Sequence, residues 1–548
     1  MKCLKWIMAL ALVAGNTWAS TKAGRFYVKN GKAIAMQLKA SRWKQFPSWI
    51  EGHGVGNDIL SDSKILEGDF LLIAELRINN QRGSAASFFL GGNHFGFEGA
   101  SETVFVNGPI FGGLKLMMPA TEVVPRGQWI HFEVERKDGL ILFRVNEKQV
   151  VSAKSSVGFE NFGFRPWRST MQVRECVVVG KTKKNQPSQP RGYTIPTIDL
   201  ADQKHRQVIV DRETGQYLGH PTTVLLEDGK TMLIVYPKGH GRGGIVYKRS
   251  VDGGKTWGER LPTPRSWVTS REVPTIHRVL DASGKKRLIM WSGLYPARLA
   301  VSEDDGARWS ELKKVGDWGG IVVMGCLEEL KTGKGHYMAM FHDDGRFFTA
   351  KAEPKLPVEF NLFKTFSIDG GLTWTNPESI LARSDVHLCE PGIIRSPDGK
   401  QLCVLLRENS RRKNSFVIFS NDEGKAWTKP RELPASLTGD RHTGKYAADG
   451  RLFISFRDTT HESPTKGDWV AWVGTYEDIV KGAEGQYRVR LMDNTKGGDC
   501  AYPPVEILPD DTIVTTTYGH WTKGQSPYIV SVRIKLSELD EMTKNLRR

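Results

Sequence analysis

Cysteine is scarce in this chain. Six occur in 548 residues, one of them at position 3, and the other five (Cys176, Cys326, Cys389, Cys403 and Cys500) are odd in number and widely scattered. That excludes a disulfide framework and a C-x-x-C metal knuckle, and leaves small buried side chains. Metal-ligand spacings such as H-E-x-x-H are also missing. Past the N-terminus, no stretch has the length and apolarity of a membrane-spanning helix. Lys/Arg runs with interleaved aromatics are absent too, so nucleic acid is not an expected partner. Helical signals are few, with SELDEMTKNLRR the clearest short candidate. By contrast the chain has 16 Trp, 57 Gly, 10% aromatic and 25% charged residues. This is a globular, turn-rich composition that points to an all-β protein of two or three domains.

The start, MKCLKWIMALALVAGNTWAS, has a basic tip, an apolar run from Trp6 to Ala14, and small residues with Thr17 and Ala19 where a signal peptidase would read. Residues 1–19 are therefore expected to be a signal peptide, and the protein to be secreted, periplasmic or at the cell surface, without a transmembrane segment. The net charge is +16, and two of those positive charges lie within residues 1–19. A basic exported protein fits an acidic partner, or simply a dispersed soluble surface.

Residues 20–182 read as short strands. FLLIAELRI and WIHFEVERKDGLILFRVNEKQVVSA are the strongest, the second with DG and NE as tight turns. This stretch resembles concanavalin/laminin-G-type jelly rolls, which implies a sandwich and a possible carbohydrate-binding role. Residues 183–200, rich in Lys, Gln and Pro, read as a linker.

From residue 201 a repeat takes over. SVDGGKTW, SEDDGARW, SIDGGLTW and SNDEGKAW begin at Ser250, Ser302, Ser367 and Ser420, spaced by 52, 65 and 53 residues, and all fit S-x-D-x-G-x-x-W. Each follows a β-like run. Six strand–turn–strand segments, from HPTTVLLEDGKTMLIVYP to YPPVEILPDDTIVTTTYG, complete the pattern of a six-bladed β-propeller over residues 201–540. The strand QVIVD is expected to pair with the last unit. In the octamer, Ser and Asp satisfy backbone donors, Gly permits positive φ and Trp packs between units. Asp252, Asp304, Asp369 and Asp422 are therefore structural.

In a propeller, first-strand starts and second-strand ends face the centre. Those positions hold His220, Arg271 with Glu272, Glu390, Arg441 with His442, and Tyr502, then His240, Asp343, Asp344, Arg346, Arg407 and Arg457 among others. So many ionisable groups exceed what a purely structural ring needs. The hexapeptide from Gly239 to Gly244 satisfies G-x-G-x-x-G, but a strand-like run follows where a nucleotide site needs a helix.

Over most of residues 205–536 the chain resembles the exo-sialidase (neuraminidase) superfamily, whose Asp-box the octamer matches. LCEPGIIRSPDGKQLCVLLRE is similar to the segment that supplies an activating Glu and a carboxylate-binding Arg, here Glu390 and Arg407. CAYPPVEILPDDTIV is similar to the segment that begins with the nucleophilic Tyr, here Tyr502. The resemblance implies a retaining exo-α-sialidase acting on sialylated glycans without a cofactor. An anionic nucleophile would be repelled by the substrate carboxylate, whereas a Tyr paired with Glu approaches neutral. The resemblance breaks twice. His220 stands where the family has the first Arg of its triad, and the loop PKGHGRGG lacks the family's acid/base Asp. Arg271, Arg441 and Arg457 are candidates to rebuild the Arg cluster, with His240 and Arg346 as further substrate contacts. Asp343, Asp344 or His240 is the acid, and Asp344 is the choice carried forward. The alternatives are an inactive glycan-binding propeller and a glycosidase for a related acidic sugar.

Overall fold

The computed structural model describes residues 24–37, 43–54, 58–79, 85–98, 101–184, 189–351, 359–383 and 386–546. The expected signal peptide lies outside them. The protein is all-β and divides into two compact units at residues 188/189. Among the described residues no helix is long and apolar enough to cross a membrane.

In the first unit, the long strand Ser63–Asn79 is flanked in one sheet by Trp129–Lys137 and Thr170–Lys184. Strict alternation in WIHFEVERK sends Ile130, Phe132 and Val134 inward, as a half-buried strand requires. A second sheet contributes Phe88, Phe95 and Phe162 to the same apolar core. The expected turns hold: Asp138 and Gly139, then Asn146 and Glu147, all have positive φ, which suits the right-handed twist of a hairpin.

The expectation of a linker over residues 183–200 needs correction. Lys183 and Lys184 still pair with Lys64 and Ser63 in the first unit. From residue 189 the chain belongs to the second unit, where Ile198 and Leu200 are buried and Thr197–Asp199 adds a parallel strand. The Pro- and Lys-rich composition masked these few apolar anchors.

Among the described residues the second unit holds six sheets in chain order, antiparallel apart from the parallel strand Thr197–Asp199. Their first strands are Thr222–Leu225, Thr275–Leu280, Ile321–Glu329, Leu388–Arg395, Gly439–Tyr446 and Val505–Ile507. Each touches the next, and the sixth touches the first. Gln207–Asp211 pairs with the last strand, Tyr528–Ile534, as its sequence suggested. Second strands such as Met232–Pro237, Leu452–Asp458 and Ile513–Gly519 are buried along their whole length, so these sheets are covered on both faces. The C-terminal helix is Leu536–Leu546. A second, short helix, Tyr476–Lys481, packs Tyr476, Ile479 and Val480 into an apolar cluster and opens on a capping box between Thr475 and Asp478.

The four octamers fold alike. In each, the Ser hydroxyl donates to the Asp Oδ1 and accepts from the Gly amide at 2.9 Å. Their Trp side chains pack on the preceding sheet: Trp257 with Leu508 and Val514, Trp374 with Val279 and Ile289. Main-chain oxygens of the octamers are also held from that sheet, Gly306 by the Tyr247 hydroxyl and Gly424 by Lys364. The octamers tie one sheet to its neighbour.

Candidate active site

A shared backbone device opens the first strands. His220, Val322, Glu390, Arg441 and Ala501 all have φ between 47° and 59°, a left-handed conformation that costs a non-glycine residue roughly 1–2 kcal/mol. In three sheets the strand is also bulged at that point: between Ile321 and Cys326, Cys389 and Gly392, and Asp440 and Thr443. Bulges of this kind re-aim side chains. Here they bring Glu390 and Arg441 to the Tyr502 side chain that follows Ala501.

The Tyr502 hydroxyl donates to Glu390 Oε1, and both residues are buried. Arg407 Nη1 donates to the same oxygen at 2.6 Å. Glu390 Oε2 is buried without a hydrogen-bond partner among the described residues. Burial pushes the Tyr502 phenol well above its ordinary pKa, and the Glu390 charge adds to this. Burial would also raise Glu390, yet the Arg407 guanidinium beside it holds it below the ordinary carboxylate value. The pair is thus a neutral phenol donating to a carboxylate.

The arginines are arranged differently from the expectation. Asp440, fully buried, accepts both Nη atoms of Arg411 at 2.6 and 2.7 Å and the Nε of Arg457 at 2.9 Å, and Arg407 Nε lies 3.2 Å away. Arg407 also donates to Asn409 Oδ1 at 2.5 Å, and Arg457 to the carbonyls of Gly498 and Cys500 at 2.5 and 3.1 Å. Arg407 and Arg457 are therefore bound up with protein acceptors. Arg441 donates to the Pro391 carbonyl at 3.4 Å, and its guanidinium carbon lies 5.8 Å from the Tyr502 ring centre. Arg441 thus lies over the Tyr502 ring, while Arg407 shares the Glu390 oxygen with the Tyr502 hydroxyl.

The His220 ring meets Tyr502 edge-on with centroids 4.4 Å apart. Its Nδ1 accepts the Gly241 amide at 3.1 Å and its Nε2 lies 3.2 Å from the Tyr518 hydroxyl. Burial drives its pKa well below the ordinary value, so the ring is neutral. Gly241 has φ 71°, and Gly239 and Gly243 are positive as well; the strand Ile245–Ser250 follows the loop. The glycines therefore serve a tight loop against His220, with no nucleotide helix.

The other candidates are placed as follows. His240 is exposed; its Nδ1 lies 2.7 Å from the Tyr217 hydroxyl, which donates to Asp499 at 2.7 Å. Asp344 is buried, but Arg346 takes up both of its oxygens at 2.8 and 2.9 Å. Among the described residues its hydrogen-bond partner is Arg346 rather than Tyr502 or Glu390. Arg346 is spent on this ion pair, with half of its side chain exposed. Arg271 is exposed, whereas its neighbour Glu272 is turned inward and half-buried. Sequence reasoning missed Asp440, whose signal was the pair Asp440-Arg441 at a first-strand start, and Asp499, for which there was none.

Residues 285–505 match the family described as BNR repeat-like domain. No curated protein matches the chain by sequence. Among solved structures, a protein of unknown function from Dyadobacter fermentans is similar at 16% identity and a TM-score of 0.47, over 60% of this chain and 97% of that one. A mutant NanB sialidase from Streptococcus pneumoniae is similar at 13% identity and 0.42, over 89% and 99%. A leech intramolecular trans-sialidase complexed with 2,7-anhydro-Neu5Ac is similar at 12% identity and 0.42, over 86% and 95%.

Proposed function

We propose that the second unit is a six-bladed β-propeller carrying a sialidase-type glycoside hydrolase site, with Tyr502 as nucleophile and Glu390 as its base. The observation that carries this reading is the buried hydrogen bond from the Tyr502 hydroxyl to the Glu390 carboxylate. Attack by the Tyr502 oxygen on an anomeric carbon passes the phenol proton to Glu390 and forms a glycosyl-tyrosine. Water then releases the sugar with its configuration retained. A phenol keeps the attacking atom uncharged until it bonds, which suits an anomeric carbon that bears a carboxylate. The proposed substrate is terminal sialic acid on glycoconjugates, with Arg441 holding its carboxylate beside Tyr502. Arg407 and Arg457, joined through Asp440, fix the pair and the adjoining wall.

The commitment of Arg407 and Arg457 to Asp440 favours a second reading, a glycosidase for a related acidic sugar that needs one arginine rather than three. We also propose that the first unit is a jelly-roll domain and that the protein is exported. Release of 4-methylumbelliferone from its sialoside by wild type and Tyr502→Phe tests the main reading. Turnover by the wild type and collapse in a folded variant is the expected result; turnover that survives in the variant overturns it.

A further inference from the structure

A retaining glycosidase needs a group that protonates the leaving oxygen and later takes a proton from water. The loop between Lys238 and Gly244 has no acid, and most carboxylates near the centre are already engaged. Asp344 is held by Arg346, Asp440 by three arginines, and Asp499 by Tyr217 and His520. Asp343 accepts the Gly345 and Phe347 amides at 2.7 and 3.1 Å within its own turn.

Glu272 is a further carboxylate, on the second sheet. It lies three residues before that sheet's first strand, Thr275–Leu280, as Tyr502 lies three residues before Val505–Ile507. Its carboxylate accepts the main-chain amide of Val273 at 2.8 Å, and the Val322 main chain lies near it. Val322 has the left-handed conformation of the first-strand starts and shares an apolar cluster with Tyr502. On the other side is Gly241, where an added Cβ would sit 3.5 Å from Glu272 Oε1. The Gly241 amide in turn holds His220 against Tyr502. Through Gly241 and His220, Glu272 is thus two residues removed from the nucleophile.

We propose that Glu272 is the general acid and base of the Tyr502–Glu390 site, in place of the acid missing from the neighbouring loop; this rests on the reading of that pair as nucleophile and base. In the first step the Glu272 carboxyl gives its proton to the glycosidic oxygen as the C–O bond breaks and Tyr502 bonds to the anomeric carbon. In the second step the Glu272 carboxylate takes a proton from water as the water oxygen bonds to that carbon, and the tyrosine oxygen leaves and recovers its proton from Glu390. Burial suits the side chain to this, pushing its carboxyl up to about 7. Glu390 adds to the push, whereas the Val273 amide, the Val322 main chain and Arg242, the charged group facing it from the loop, oppose it.

The test compares wild type, Glu272→Gln, Glu272→Ala and His240→Gln on 4-methylumbelliferyl sialoside and on sialyllactose, whose leaving group is poor. For Glu272→Gln we expect a loss of roughly 10²–10⁴-fold in kcat/KM on sialyllactose, a much smaller loss on the aryl sialoside, and disappearance of the basic limb of the pH profile. In Glu272→Ala, azide should restore aryl sialoside turnover and yield the glycosyl azide of retained configuration. Equal losses on both substrates, an unchanged basic limb, or loss of that limb in His240→Gln alone would each overturn the assignment. If Tyr502→Phe is inactive while Glu272→Gln is normal, Glu272 alone fails. A wild type inert on both substrates, or an active Tyr502→Phe, removes the pair and Glu272 with it.

Discussion

Two sets of repeated positions in the second unit obey opposite rules. The octamers after the third strands repeat their residues: four times Ser, Asp and Gly make the same bonds at nearly the same lengths. The first-strand starts repeat only their backbone. Five left-handed residues within 12° of one another in φ are a histidine, a valine, a glutamate, an arginine and an alanine. In the octamer a side chain makes the turn, so the turn dictates the residue. At the strand starts, bulges and neighbouring sheets impose the conformation, and the side chain is free to differ. What differs there is chemistry.

If that contrast is real, single changes at the inner positions cost function first. The largest effect is expected for Tyr502→Phe, with kcat reduced by roughly 10³-fold or more and unfolding little changed, since the ring and its contacts stay. Initial rates and urea unfolding of the same sample separate the two. A variant that loses stability and activity together would turn Tyr502 into a packing residue and erase the distinction.

Asp440 is the next largest and joins both rules, because it is structural yet lies against the pair. Asp440→Asn leaves the buried Arg457 without its counter-charge and Arg407 with Glu390 alone, a change worth about 3–5 kcal/mol of stability. The measurement is the urea midpoint at constant m-value. A loss below about 1 kcal/mol would mean that the arginines find other partners and are free for a ligand carboxylate after all.

The sequence made the first rule legible and only part of the second. An eight-letter pattern that closes its own turn can be read without its neighbours, and so the six units, the structural role of Asp252 and its equivalents, and the closing strand Gln207–Asp211 could be read directly. That Glu390, Arg407 and Tyr502 belong together could be read from their distinctive segments, and the structure places them in contact. FHDDGRF offers acids at a second-strand end, and nothing local reveals that Arg346, two residues on, folds back over Asp344. The Asp440 cluster joins three segments, 407–411, 440 and 457, whose meeting depends on the bulge at Asp440. A bulge leaves no trace in alternation, so that part of the site could not be read in advance.

A smaller effect, with a sign that depends on pH, is expected at Glu272. Its carboxyl is raised to about 7 in the folded protein, whereas an unfolded Glu titrates at about 4.3. Between those values the folded state binds the extra proton, so this residue's contribution to stability falls as pH rises from about 4.3 to 7. Glu272→Gln mimics the protonated form. Its melting temperature should match wild type near pH 4 and exceed it at pH 8. A variant less stable at pH 8 would show that the carboxylate is structurally required, as the octamer residues are.

The smallest effect belongs to the octamers, where the contrast is easiest to break. Asp369 accepts the Thr373 amide and hydroxyl at 3.0 and 2.6 Å and the Ser367 hydroxyl at 2.8 Å. Burial would raise its carboxyl, yet these bonds hold it below the ordinary carboxylate value. The ionised form is therefore the one the turn stabilises. Its contribution is complete above about pH 4 and is lost as pH falls through the folded value. Asp369→Ala should cost about 1–2 kcal/mol at pH 7, and the difference from wild type should shrink as pH drops to 3. Glycosidase activity of the folded variant should not change, because the octamer ties the third sheet to the second without touching Tyr502 or Glu390. A specific loss of kcat with stability intact would put chemistry in the repeated turn, and the rule that separates frame from centre would fail at its simplest point.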